Sequence, residues 1–120
     1  MSSPDRDDVI GRVLCRASDI PEGGGRGFVF GDASDQRRLF IVRHRGALYA
    51  YRNACPHVGT PLDLAPDRFF DPSGTLLQCS THGAQFRIDD GACVAGPCAG
   101  KRLTPVEIVL SGEFVVASTL

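Results

Sequence analysis

Short apolar runs separated by polar turns bearing glycine or proline recur along the whole chain, and no stretch holds a 3.6-residue period for three helical turns. Residues 9–16 alternate loosely and predict a first strand, and Phe28, Val29 and Phe30 make a second short run. Residues 39–42 are all apolar. The turn at 43–46 and the run at 47–51 follow, and together they predict a hairpin. Glu22 and the three glycines after it predict a flexible loop. From Asn53 onward loops dominate, at 55–61, 79–83 and 95–100. Between them lie a short strand around 68–70, a turn at 71–74 leading into 75–78, and a hairpin built from 85–88 and 92–94. Residues 105–110 and 113–117, split by Ser111 and Gly112, predict a closing hairpin. The expected architecture is one all-β domain: an antiparallel base from 1–52 and 101–120, with a loop-rich subdomain inserted at 53–100.

Composition narrows this further. The 120 residues suit one domain, and 14 glycines with 8 prolines favour a turn-rich β fold over a helical bundle. Thirteen basic against 14 acidic residues leave a net charge of −1, which excludes nucleic-acid binding by bulk electrostatics. No apolar run approaches the ~18 residues needed to cross a bilayer. The polar stretch 1–8 does not resemble a secretory or transit leader, so a soluble cytoplasmic protein is expected, with no membrane partner. Five cysteines exceed what packing needs in such a setting, and an odd number argues against a disulfide framework. Metal ligation is the expectation.

The chemistry-bearing pattern is Cys55-x-His57, 21 intervening residues, then Cys79-x-x-His82. Two loops each offer one thiolate and one imidazole, and each is stiffened by proline or glycine. Four such ligands can converge on one tetrahedral zinc, although zinc modules usually pair like ligands at each end. Mixed pairs on both loops suit a two-metal cluster in which the thiolates hold one iron and the imidazoles the other.

The sequence resembles the Rieske [2Fe–2S] ferredoxin family at 55–62 (CPHVGTPL) and 79–86 (CSTHGAQF), with Gly91, Gly96 and Pro97 as a third match where that family places a proline-containing loop. The resemblance implies a Rieske-like fold and one [2Fe–2S] cluster per chain. It implies Cys55 and Cys79 as ligands of the inner iron and His57 and His82 as ligands of the outer iron. Gly59 and Gly83 are read in two ways: they donate backbone N–H groups to the cluster sulfides, or they simply close turns. Cys15 is expected to pack as a small hydrophobe, Cys93 and Cys98 to be spectator thiols, and His44 to be a solvated turn residue.

Neutral imidazoles in place of two thiolates leave the cluster less negative, which raises its potential to ~−150 to +300 mV. The high-potential branch of the family has a disulfide beside the cluster and two hydroxyl donors to sulfur. This chain has Thr60 and Thr81 at the disulfide positions and Ala84 and Phe86 at the donor positions, so the low end of the range is expected. No further catalytic constellation is found. The implied function is one-electron carriage, without catalysis, as the ferredoxin component between a reductase and an oxygenase. A small subunit of an assimilatory nitrite reductase and a zinc-stabilised interaction module are the alternatives.

Overall fold

Strand β3 (Arg37–His44) carries the run that organises the fold. Leu39, Phe40, Ile41 and Val42 are all fully buried, and the pleat sends them alternately to opposite faces. Leu39 and Ile41 join Ile20, Ala50, Val106, Val115 and Ala117 in one apolar cluster. Phe40 and Val42 join Tyr51, Leu62, Phe69, Leu77, Phe86 and Leu103 in a second. A strand covered on both faces reads as an unbroken apolar run, which is why this segment shows no alternation in sequence.

The computed structural model describes residues 11–31, 37–56, 59–63, 65–81 and 83–118. Within them lie β1 (Val13–Arg16), a 3-10 turn (Ala17–Asp19), β2 (Gly25–Phe30), β3, β4 (Ala47–Arg52), β5 (Leu76–Gln78), β6 (Gln85–Arg87), β7 (Cys93–Ala95), β8 (Ile108–Ser111) and β9 (Phe114–Ala117). The strands pair antiparallel in three sheets, with orders β1-β9-β8, β2-β3-β4 and β5-β6-β7. The expected all-β class and three of its hairpins are present; residues 9 and 10 of the expected first strand lie outside the described residues.

The β3–β4 hairpin turns through Arg45 and Gly46, with φ of 52° and 80°, the pair of positive values that a two-residue type I′ connection needs. Glu22 caps this turn, its carboxylate accepting the Arg45 and Gly46 backbone N–H groups at 2.7 Å each. Those two bonds hold the Glu22 carboxyl below its ordinary pKa. The loop expected at 22–25 is present as a turn just before β2, and these bonds tie it to the β3–β4 turn. Gly23 N–H also bonds the Arg43 carbonyl, and Gly25 opens β2, where a Cβ would lie 2.9 Å from Val42 Cγ1 and 3.0 Å from Phe69 Cδ2.

The strand expected around 68–70 is reduced to one bridge, Phe70 to Leu77, flanked by two backbone hydrogen bonds, from Gln78 N–H to the Phe69 carbonyl at 2.8 Å and from Asp71 N–H to the Leu76 carbonyl at 2.9 Å. Phe69 also drops into the core and stacks on Phe40, ring centroids 4.3 Å apart, so aromatic burial adds to this pairing in holding the segment. The closing hairpin starts later than its apolar pattern, because Pro105 and Val106 pair with Tyr51 and Ala50 before β8 begins.

Tyr51 links the second cluster to the β6–β7 turn by donating its hydroxyl to the Ile88 carbonyl at 2.6 Å while 3% exposed. Burial, reinforced by Asp90 and Asp89, pushes its pKa well above the ordinary tyrosine value. The unfolded chain therefore releases this proton near pH ~10 while the folded chain holds it, so stability falls as pH rises above that point. Tyr51→Phe should cost about 1–3 kcal/mol at neutral pH by leaving a buried carbonyl unbonded. It should also flatten the alkaline fall, and denaturant titrations at pH 7 and pH 11 check both expectations.

Candidate metal centre

Two loops of identical backbone design lie side by side. In the first, Cys55 N–H bonds the Thr60 carbonyl at 2.7 Å, and Gly59 N–H bonds the Cys55 carbonyl at 2.7 Å. In the second, Cys79 N–H bonds the Ala84 carbonyl at 2.8 Å, and Gly83 N–H bonds the Cys79 carbonyl at 2.8 Å. Each glycine sits four residues after its cysteine with positive φ, 79° at Gly59 and 74° at Gly83, which is the conformation that closes such a turn without a Cβ penalty. Of the two readings of these glycines, turn closure is the one observed, since both N–H groups bond cysteine carbonyls.

The elements that position the loops follow from the sheets. The first loop leaves the end of β4, and Asn53 spans its base: its amide donates to Asp63 Oδ1 and its Oδ1 accepts the Leu62 N–H, both at 2.8 Å. Asn53 is 7% exposed, a buried amide among the described residues. Nothing in its sequence context distinguishes it from an ordinary turn residue. The second loop connects β5 to β6, and its Ser80 N–H bonds the Leu62 carbonyl at 2.9 Å, tying the two loops together. The third loop, after β7, is pinned against the second at Gly96, where a Cβ would lie 2.9 Å from Ala84 Cα.

Cys55 and Cys79 are both buried, at 1% and 0% exposure, inside the cluster that holds Leu62, Leu77 and Phe86. The partners expected for them, His57 and His82, lie outside the described residues. None of the five cysteines is in a disulfide. Cys15 packs beside Ile20 and Val115 as expected, and burial raises its thiol pKa. His44, expected as a solvated residue within the turn at 43–46, is instead the half-buried last residue of β3, and the turn is Arg45 and Gly46. Cys98, expected as a spectator thiol, is fully buried, and its Sγ lies 3.6 Å from Cys55 Sγ.

The donor set fits the cluster that the resemblance implies. Two buried thiols on matched loops supply soft anionic ligands, and the Thr60 hydroxyl oxygen in the first loop is buried with no hydrogen-bond partner among the described residues. Among the described residues, a Cβ built on Gly59 or Gly83 would meet nothing within 4 Å, so the backbone at both turns leaves room for a close-approaching group.

Comparison with known proteins agrees with this geometry. The structure is similar to the ferredoxin of carbazole 1,9a-dioxygenase from Nocardioides aromaticivorans IC177, at 21% identity and a TM-score of 0.68 over 92% of this chain and 99% of that one. It is similar to the ferredoxin of Sphingomonas yanoikuyae B1, at 22% identity and a TM-score of 0.68, again over 92% and 99%. A third likeness is to a chain in a complex of reduced oxygenase and oxidized ferredoxin in carbazole 1,9a-dioxygenase, at 24% identity and a TM-score of 0.68 over 90% and 93%. No curated protein matches the sequence. At these identities the solved structures establish the fold. The family model described as the Rieske [2Fe-2S] domain matches residues 12–115, nearly the whole chain and both cysteine loops, and the chain belongs to that family.

Proposed function

We propose that this protein is a one-electron carrier, the ferredoxin component that passes electrons from a reductase to an oxygenase. The observation that carries the reading is the pair of matched loops, each closed by the same two backbone hydrogen bonds around a buried cysteine. In this reading Cys55 and Cys79 hold the inner iron, and His57 and His82 hold the outer iron. A Rieske cluster supplies reversible one-electron chemistry at a potential of about −150 to +300 mV.

The chain's own residues do the rest. Leu62, Leu77 and Phe86 keep water from the two thiolates, and Ser80 and Asn53 fix the spacing of the loops. With the cysteines buried, we assign electron exchange with a redox partner to the outer iron. Residues 53–100 form the cluster-binding part, carried on a base of 1–52 and 101–120; the self-contained β5-β6-β7 sheet supports that division.

The likeness to ferredoxins of oxygenase systems supports the oxygenase reading over the nitrite reductase one. No helix among the described residues is long and apolar enough to cross a membrane, and we place the protein in the cytoplasm. Protein purified without oxygen should be brown and hold iron and acid-labile sulfide in equal amounts, and reduction by dithionite should give the EPR signal of a mixed-ligand [2Fe–2S] cluster. Stoichiometric zinc with no sulfide would overturn this reading in favour of an interaction module.

A further inference from the structure

Cys98 sits in the third loop where that loop reaches a proposed ligand, Cys55. Its Sγ is 3.6 Å from Cys55 Sγ, within hydrogen-bond range for sulfur, and both residues are buried. The position is held from two sides. Gly96, two residues earlier, rests against the backbone of Ala84 and Gly83, and the Cys98 carbonyl accepts the Lys101 N–H at 2.8 Å. Either sulfur could in principle donate across this contact. Metal ligation removes that ambiguity, because a cysteine bound to iron has lost its proton and can only accept. The surviving S–H belongs to Cys98.

We propose that Cys98 is a positioning residue whose thiol donates a hydrogen bond to the ligand sulfur of Cys55 and so raises the potential of the cluster. The inference rests on the reading of Cys55 as a ligand given above. A donor to an anionic sulfur is stronger than the same thiol facing a neutral acceptor, because the acceptor carries the charge. Reduction adds negative charge to the cluster and its ligands, so the bond is worth more after the electron arrives and favours the reduced state. The chain has alanine and phenylalanine at 84 and 86, both fully buried in the same apolar cluster as the cysteines and neither with a side chain able to donate. Cys98 thus supplies from the third loop a hydrogen bond that the second ligand loop does not provide.

The test is the midpoint potential of the cluster-loaded protein and of two variants. Cys98→Ala should shift the reduction equilibrium about fivefold toward the oxidised state, a fall of ~40 mV at 59 mV per decade for one electron. Cys98→Ser keeps a donor of similar size and should hold the wild-type value or exceed it. A role limited to packing would instead move the serine variant, which buries a polar atom, at least as far as the alanine variant. Equal potentials in all three proteins at full cluster occupancy would overturn the proposal.

Should either variant lose its cluster, the wild-type protein still decides the matter. Its reduced-minus-oxidised infrared difference spectrum should show a shift of an S–H stretching band to lower frequency, and the band should persist in Cys93→Ala. A silent S–H region would overturn the proposal while leaving the cluster reading intact. Wild-type protein that binds no iron and sulfide would overturn both.

Discussion

Cys79→Ala should yield a colourless protein with no iron or acid-labile sulfide, and Cys55→Ala should do the same. In the proposed site each cysteine supplies one of only two thiolates, and a single thiolate cannot hold the inner iron against water and competing thiols. The loss extends to folding. Metal and fold are coupled wherever ligands converge only in the folded state, so binding free energy is also folding free energy. Cys55 and Cys79 lie in the same apolar cluster as Phe40, Phe69 and Phe86, and the third sheet is only three residues deep in each strand. Removing the sulfur atom alone should cost roughly 1–2 kcal/mol, whereas losing the cluster should lower thermal stability far more. Cys15→Ala is the control. It packs in the opposite cluster with Ile20 and Val115, and should keep full iron and sulfide. Metal analysis of the three variants checks the expectation, and a brown Cys79→Ala protein with full iron content would contradict it.

Gly96→Ala carries the second large effect. Gly96 has φ of 90°, and the added Cβ would lie 2.9 Å from Ala84 Cα, 3.3 Å from Ala84 N and 3.4 Å from the Gly83 carbonyl oxygen. All three atoms are backbone of the second ligand loop, so no side-chain rotation relieves the clash. A non-glycine residue at positive φ costs ~1–2 kcal/mol, and overpacking a well-filled contact costs ~1–3 kcal/mol. The expected destabilisation is about 2–5 kcal/mol, a fall in Tm of roughly 10 °C or more. The third loop should also lift from the second, separating Cys98 from Cys55 and exposing the cluster to chelators. Thermal melts and the rate of bleaching by a chelator measure both effects. Gly100→Ala is the comparison: its φ is also positive, at 88°, but a Cβ there meets nothing within 4 Å, so only the backbone part of the cost remains.

The chain shows how far local pattern reaches. The β3–β4 hairpin was readable because two apolar runs flank the polar, glycine-ending stretch 43–46, within which the structure confines the turn to Arg45 and Gly46. The cysteine positions were readable because ligand spacing within a loop is a property of a few consecutive residues. The expectations at 22–25 and 68–70 fell short for one shared reason. In both, local composition located the segment, and a distant partner decided how it is held: the β3–β4 turn for Glu22, and the Phe40 ring for Phe69.

By itself, the sequence determined the all-β class, the family, and the two cysteine loops on which the chemistry is proposed to rest. Each depends on residue type and short-range order along the chain. Only the tertiary structure decided that the two loops share one hydrogen-bond design, that Asn53 braces the first, and that Ser80 ties the second to it. It alone decided that Cys98, 43 residues from Cys55 in sequence, lies 3.6 Å from it in space. Such contacts are set by how the β2-β3-β4 and β5-β6-β7 sheets and their loops pack around Phe40 and Val42, and a single chain's sequence does not encode distance between residues that far apart in any local pattern.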